Sequence, residues 1–280
     1  MQGRKTDNME QALQMVHIPA SFDPDQTLDC GQSFRWEKTG DTWKGVAFGR
    51  RLTLKQEGEE LAFSCTPEEF ESLWRGYFDL DTDYDAIRRE LSAMDPVLEK
   101  ACAYAGGIRI LRQEPWEALC SFIISQNNNI PRIKGIIQRL CETLGEPAAD
   151  GEFLFPTPQR MAASSLEELA PLRAGFRAKY LLSAARLVTE GKVDLQAIPH
   201  MELEKARETL MLIHGVGPKV AECALLYGFH RLEAFPLDVW MKRVMERWFP
   251  QKKPEDFGPW AGVAQQYLFH YIRTFEEESL

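Results

Sequence analysis

Two spacings of apolar residues divide the chain. Between Gln32 and Cys65, aromatic and β-branched residues alternate with polar ones in the short runs QSFRWEK, TWKGVAF, RLTLKQ and LAFSC, separated by TGD, FGR and EGEE. Period-two alternation punctuated by turn formers predicts an antiparallel meander. From Thr66 the apolar spacing lengthens to three or four residues, so TPEEFESLWRGYF, DTDYDAIRREL, DPVLEKACAY and EPWEALCSFIIS read as helices. Thr66 followed by Glu69 has the spacing of a capping box. Residues 142–160, with Gly145, Pro147, Gly151, Pro156 and Pro158, read as a loop, and SSLEELAPL as a short helix after it. Leu210 to Met241 then centres on a turn: an apolar helix end, His214-Gly215-Val216-Gly217, and a restart at Pro218, a favoured first-turn position. This is a helix-hairpin-helix, expected over residues 205–228. Its glycines permit a tight turn and leave backbone N–H groups free to meet an anion such as a phosphate.

The expected architecture is α+β and mainly α-helical. A patternless, loosely held extension at 1–24 precedes an N-terminal antiparallel sheet domain with flanking helices at 25–105 and a helical region at 106–280. At 280 residues and 44% hydrophobic composition the chain can bury a full core. It has no run of about 18 apolar residues, which argues against a membrane span, and its polar start lacks an apolar signal core, which points to an intracellular protein, cytoplasmic in a bacterium. The six cysteines at 30, 65, 102, 120, 141 and 223 form no C-x-x-C pair, so they read as reduced, packed thiols rather than as zinc ligands. A net charge of -9 conflicts with a nucleic-acid partner only if charge is spread evenly. Residues 100–143, 171–187 and 205–247 carry +3, +4 and +2, leaving -18 elsewhere, so a basic face on an acidic body is expected.

Candidate chemistry lies along that basic face. Lys219 opens the second hairpin helix and Asp238 follows in Phe235-Pro236-Leu237-Asp238-Val239, which offers one amine and one carboxylate beside a phosphate-binding turn. A carboxylate can stabilise positive charge developing on a substrate while an amine attacks the same carbon and forms a Schiff base. Lys219 also suits a plain phosphate contact, and Asp238 suits an N-cap of the helix starting VWMKRVM. Gln126-Asn127-Asn128-Asn129 reads as a helix-capping turn. In Arg173-Ala174-Gly175-Phe176-Arg177-Ala178-Lys179-Tyr180 the aromatic among cations fits nucleic-acid contact or an ordinary helix start. On their own, Gly31 reads as a strand entry, and Cys223 and Phe269 as core.

HGVGPKVAEC with PLDVWM, GQSFRW, SQNNNIPRI and WAGVAQQYLF together resemble the helix-hairpin-helix DNA glycosylases, and among them the 8-oxoguanine DNA glycosylase/lyases, over roughly residues 25 to 275. That resemblance makes Lys219 the Schiff-base nucleophile and Asp238 the catalytic carboxylate. It gives the Gly31 carbonyl the N7 hydrogen that 8-oxoguanine has and guanine lacks, sets Cys223 and Phe269 against the two faces of the extruded base, and turns Gln265 to its Watson-Crick edge. Asn127 would fill the gap, Phe176 wedge the duplex, and Arg132 and Arg177 read the estranged cytosine. His214, Gly215, Val216, Gly217 and Trp240 would meet phosphate. Two departures stand out: Phe176 where tyrosine is familiar, and Trp240 where vertebrate members have histidine, which favours stacking over that phosphate contact.

The implied partner is double-stranded DNA containing 8-oxoguanine, with the protein acting as a monomer. No metal or cofactor is expected, apart from a monovalent cation that hairpin carbonyls could hold. An iron-sulfur cluster of the kind some related glycosylases carry is excluded because no cysteine follows Cys223. Two other readings compete: an alkylated-base glycosylase of the same superfamily, which Lys219 and the GQSFRW and QNNN strings oppose, and a non-catalytic DNA-binding module, which the Lys219–Asp238 pairing opposes.

Overall fold

The structure, a computed structural model, describes residues 14–148 and 151–277, so residues 1–13 of the expected extension lie outside the described residues. Five strands, β1 (Val16–Pro19), β2 (Trp36–Thr39), β3 (Thr42–Ala47), β4 (Arg50–Glu57) and β5 (Glu60–Phe63), form one sheet in the order β1-β5-β4-β3-β2, antiparallel throughout. Four match the expected meander. β1 corrects the expected boundary: Val16 pairs with Phe63 and Pro19 with Glu60, so the sheet lobe begins ahead of residue 25. Four residues of VHIP are too short to show a periodicity. The first expected run also starts late, because residues 31–35 form an irregular turn before β2, preceded by the short helix α1 (Pro24–Leu28) capped by Asp23.

After β5 the chain runs through α2 (Pro67–Glu69), a π-helical turn (Phe70–Trp74) and α3 (Arg75–Tyr77). Thr66 Oγ1 accepts from the Glu69 N–H at 3.1 Å, but the Glu69 carboxylate accepts the Trp74 indole N–H at 3.3 Å. Tertiary packing has thus redirected half of the expected capping box. The remaining helices are α4 (Tyr84–Met94), α5 (Pro96–Ala105), α6 (Pro115–Ser125), α7 (Ile130–Leu144), α8 (Pro158–Ala162), α9 (Arg177–Thr189), α10 (Leu203–Met211), α11 (Pro218–Gly228), α12 (Val239–Trp248) and α13 (Ala261–Glu277). SSLEELAPL is not a helix: Ser165 and Glu168 exchange capping hydrogen bonds, but the chain continues as turns into a 3-10 segment at Ala170–Leu172. Pro171, lacking an N–H, prevents regular extension.

Two cores result. Trp36, Leu52, Leu54, Phe63, Trp74 and Phe78 form the sheet-lobe core. A second, larger core joins the helices and includes Ile87, Leu91, Leu98 and Ala101 of α4 and α5. The expected division at residue 105 therefore cuts through packing: Tyr104 donates to Thr274 Oγ1 at 2.9 Å, and Tyr267 to the Ile108 carbonyl at 3.3 Å. The lobes are riveted at Asp79, 2% exposed, whose carboxylate accepts from Tyr84, Thr82 and Arg112 at 2.8–2.9 Å and faces His230 Nε2 at 3.1 Å. Although burial opposes its ionisation, His230 and Arg112 hold this carboxyl well below the usual range. His230 directly follows the hairpin's second helix, so the site is anchored to the sheet lobe.

Candidate active site

The hairpin forms as expected, between α10 and α11. Gly215 has φ +87°, and a Cβ there would lie 2.3 Å from the Tyr180 ring, so the turn requires a glycine twice over. Gly217 is different. Its backbone is extended (φ -98°, ψ -179°), which any residue can adopt, and nothing lies within 4 Å of where a Cβ would be. It is the N-cap of α11 without a side-chain cap, so no capping side chain takes the first N–H groups of that helix. His214 is exposed, its N–H bonded to Ser183 Oγ at 3.3 Å and its ring edge-on to Tyr180 at 5.0 Å. Val216 is buried and anchors the turn.

Lys219 lies in the first turn of α11, half-buried, with Nζ 5.7 Å from the centre of the Phe122 ring. One helical turn later the buried Cys223 thiol is pushed up to about 11 by desolvation, while the neighbouring Lys219 amine pulls it down and Asp238 pushes it further up. Amine, thiol and carboxylate therefore lie close enough to act on one another electrostatically. Asp238 is also the N-cap of α12, accepting from Met241 N–H at 2.8 Å, so both roles weighed for it are compatible. Its loop is fastened at Phe235, whose N–H donates to Glu222 at 2.8 Å and whose ring stacks on Phe257 at 5.3 Å. Glu222 in turn pairs with Arg207 of α10, closing a clamp across both hairpin helices. Sequence reasoning missed Glu222, because an acidic residue within an apolar helix gives no sign of a partner fifteen positions earlier.

The residues expected to face the base lie on three segments. Gly31 has φ +82°. Gln265, buried on α13, lies with its Oε1 3.5 Å from the Tyr227 hydroxyl, and Tyr227 stacks on Phe122 at 5.1 Å. Phe269, a turn beyond Gln265, is half-buried under the Arg273 guanidinium. Tyr227 and Gln266 were also missed; the Tyr227 hydroxyl donates to Gln266 Oε1, which nothing in the local pattern signals.

On the outer face the three asparagines divide the work. Asn127 is exposed at φ +47°, Asn128 donates to the Ile124 carbonyl at 3.2 Å, and Asn129 caps α7 by accepting from Arg132 N–H at 3.0 Å. Arg132 projects from the first turn of α7, exposed. Phe176 is 49% exposed at the start of α9 and meets the Tyr180 ring at 5.5 Å, completing a row of rings Phe176, Tyr180, His214 that runs to the hairpin. Arg177 differs from expectation: it is 3% exposed, with Nε and NH2 on the Gln126 carbonyl, NH2 also on that of Asn127 at 2.8 Å, and NH1 on that of Ala174 at 3.2 Å. It braces the asparagine loop by donating to the carbonyls of Gln126 and Asn127. Trp240, half-buried on α12, carries the Arg243 guanidinium over its ring at 5.2 Å.

Among the described residues, Arg132, Arg173, Lys179, Lys219 and Lys242 form no ion pair, whereas Arg207 and Arg231 do. Unpaired cations are not confined to the expected basic stretches, since Lys44, Arg50 and Arg51 of the sheet form no ion pair either. All six cysteines are buried and free. The described residues contain no group of three or more His, Cys, Asp or Glu suited to a metal, and no helix long and apolar enough to cross a membrane. A polar crevice of about 420 Å³ between β3 and α7, lined by Arg35, Lys44, Arg51 and Lys134, includes none of the residues assigned above.

A glycine hairpin leading into a lysine, with an aspartate-capped helix beside it, is the arrangement that comparison with known proteins places among base-excision DNA repair proteins. Residues 120–256 match the family of HhH-GPD superfamily base excision DNA repair proteins, and residues 15–119 match the N-terminal domain of 8-oxoguanine DNA glycosylase. The chain belongs to the 8-oxoguanine DNA glycosylase family. It is 34% identical to the N-glycosylase/DNA lyase of Saccharomyces cerevisiae over 252 residues, which is 79% of this chain and 66% of that protein, so it spans just under two thirds of this relative's length. Among solved structures, MBOgg1 in complex with a low-affinity DNA ligand is 40% identical with a TM-score of 0.87, covering 94% of this chain and 96% of that one. The Clostridium acetobutylicum 8-oxoguanine glycosylase/lyase in complex with DNA containing cytosine opposite 8-oxoguanine is 35% identical with a TM-score of 0.85, again covering 94% and 96%.

Proposed function

We propose that this chain is a bifunctional DNA glycosylase and lyase that excises 8-oxoguanine opposite cytosine and nicks the abasic strand, acting as a monomer. The observation that carries the reading is the placement of Lys219 in the first turn of α11, next to the glycine turn, with Asp238 capping α12 and both acting on the Cys223 thiol. The hairpin N–H groups take a backbone phosphate, with His214 and Trp240 beside it. Asn127 enters the gap left by the extruded nucleotide, Phe176 wedges the stack, and Arg132 turns its donor fork to cytosine's acceptors, while Arg177 holds their loop. In the pocket the Gly31 carbonyl takes the N7 hydrogen, Gln265 the Watson-Crick edge, and Cys223 and Phe269 the two faces.

The Lys219 amine attacks C1′, and the base departs with the electron pair of the glycosidic bond and takes up a proton. Asp238 stabilises the cationic sugar. The attached nitrogen loses a proton and its lone pair expels O4′, which takes up a proton as the sugar ring opens to the iminium. Loss of a C2′ proton into that cation then breaks the C3′–O bond and expels the 3′ phosphate, and water releases the lysine. Nucleophile and anion both come from the chain, so no step runs through a metal or cofactor, and a monovalent cation on hairpin carbonyls would serve only to bridge to phosphate. The test is borohydride trapping on duplexes carrying 8-oxoguanine opposite each base, comparing the parent with Lys219→Gln. A covalent adduct with cytosine opposite, absent from the variant, is expected. Release of alkylated bases with 8-oxoguanine untouched, or binding without release of any base, would refute it.

A further inference from the structure

The Gly31 turn is held in an unusual way. A Cβ on Gly31 would meet nothing within 4 Å, so no packing imposes its φ of +82°. Hydrogen bonds to its neighbours do. On one side Gln266 Nε2 donates to the Cys30 carbonyl at 3.2 Å, across 236 positions of sequence. Gln266 is 1% exposed, and its Oε1 in turn accepts the Tyr227 hydroxyl. On the other side Gln113 Nε2 donates to the Gln32 carbonyl at 2.7 Å, and the Gln32 side chain bonds the Thr27 and Arg109 carbonyls and the Leu111 N–H at 2.8–2.9 Å. The Cys30 carbonyl shares a rigid peptide plane with the Gly31 N–H, so fixing that plane together with the glycine's conformation limits where Gly31's own carbonyl can point.

We infer that Tyr227 and Gln266 are positioning residues that aim the Gly31 carbonyl at the protonated N7 of an oxidised purine. The inference rests on the 8-oxoguanine reading above. Tyr227 lies on α11, the helix that carries Lys219, so the relay refers the base-reading carbonyl to the same rigid element as the nucleophile. Selectivity is the consequence: a correctly aimed carbonyl gains a hydrogen bond from 8-oxoguanine and faces a lone pair on guanine, whereas a loosely held carbonyl swings away from that repulsion. Burial keeps the Tyr227 hydroxyl protonated, and hence a donor, throughout the neutral range.

The experiment measures single-turnover release of 8-oxoguanine and of guanine opposite cytosine, with nicking of a preformed abasic site and thermal melting followed in parallel. The proteins are the parent, Tyr227→Phe, Gln266→Leu and Gln266→Glu. Gln266→Leu is expected to slow 8-oxoguanine release about tenfold and to narrow the preference over guanine, with a smaller effect on the abasic site, where no base is read. Tyr227→Phe, which removes only the hydroxyl, should shift the same ratio by less. Gln266→Glu supplies a pH signature: ionised, its carboxylate opposes the Cys30 carbonyl and the variant behaves like Gln266→Leu, whereas protonated it donates again and approaches the parent as pH falls. Equal losses on the base and abasic substrates, or an unchanged preference with a flat pH profile, would leave these residues with a structural role only. A parent that leaves 8-oxoguanine intact overturns the functional reading and this inference together.

Discussion

Gly31 and Gly215 both sit in the left-handed region, at φ +82° and +87°, and each belongs to a turn that the proposed reaction uses. Their surroundings differ. Gly215 is pressed against the Tyr180 ring, which a Cβ would meet at 2.3 Å, whereas Gly31 has open space on that side. The hairpin is therefore held by packing, along the row of rings from Phe176 through Tyr180 to His214. The Gly31 turn is held by hydrogen bonds from Gln113 and Gln266 to the carbonyls on either side. A packed turn rejects an added atom, while a braced turn accepts the atom and fails when a brace is lost. The proposed grip on a phosphate has the first construction and the proposed reading of a base has the second.

The hairpin side breaks most completely at its clamp. Glu222 joins Arg207 to the Phe235 N–H, so Glu222→Ala leaves Arg207 with Glu204 alone and orphans the buried N–H; a lost charge-assisted hydrogen bond and an unsatisfied buried donor together cost about 3–5 kcal/mol. Urea melting should show that loss, and excision should fall with it because the loop bearing Asp238 is released; unchanged stability would mean the clamp is not what holds the two hairpin helices and the loop together. Gly215→Ala comes next. Left-handed strain of about 1–2 kcal/mol adds to overpacking of about 1–3 kcal/mol, so a loss of about 3–4 kcal/mol is expected, with weaker binding to undamaged duplex. A variant that melts and binds like the parent would show that the ring moves aside freely.

That contrast also explains what could be read from the sequence. The hairpin, the capping Asn129, the aspartate loop and four of the five strands are local events, set by residues a few positions apart, and the chain displays them. The braces are not local. Gln266 to Cys30, Tyr104 to Thr274 and Asp79 to His230 join residues more than 150 positions apart. For the same reason α4 and α5 look like part of the sheet domain in sequence while packing in the helical core. β1 escaped notice because its partner strand, not its own pattern, makes it a strand. Arg177 shows the limit within the site: the RAGFRAKY string announces a cation but not that backbone carbonyls have claimed it.

The Gly31 side has its own charge. Arg35, four residues on, pairs with Glu117 of α6 at 3.4 Å and donates to the Phe153 carbonyl at 2.6 Å. Burial pushes the Glu117 carboxyl up to about 7, against the pull of Arg35. A carboxyl raised in the folded state contributes stability that is complete below its unfolded value near 4.5 and is lost as pH rises through about 7. Glu117→Gln, neutral at every pH, should therefore gain on the parent between those values and hold a level advantage of about 2–3 kcal/mol above them. The comparison has to be made between proteins. Burial also lowers the His270 imidazole, whose contribution fades as pH falls and so slopes the other way, and His270 is common to both. A constant difference across pH in thermal melting would show that Arg35 keeps the carboxylate ionised when folded.

Gly31→Ala is the smallest change in stability and the most direct test of the contrast. If bracing alone holds the turn, an added methyl meets no atom and costs only the left-handed strain, about 1 kcal/mol. Melting should then shift slightly and binding to undamaged duplex should stay near the parent's, the reverse of Gly215→Ala. Excision should respond out of proportion, because the methyl occupies the space beside the carbonyl into which the base is proposed to move. A large loss of stability would mean the turn is packed after all, and full excision activity would mean that the base does not approach this face of Gly31.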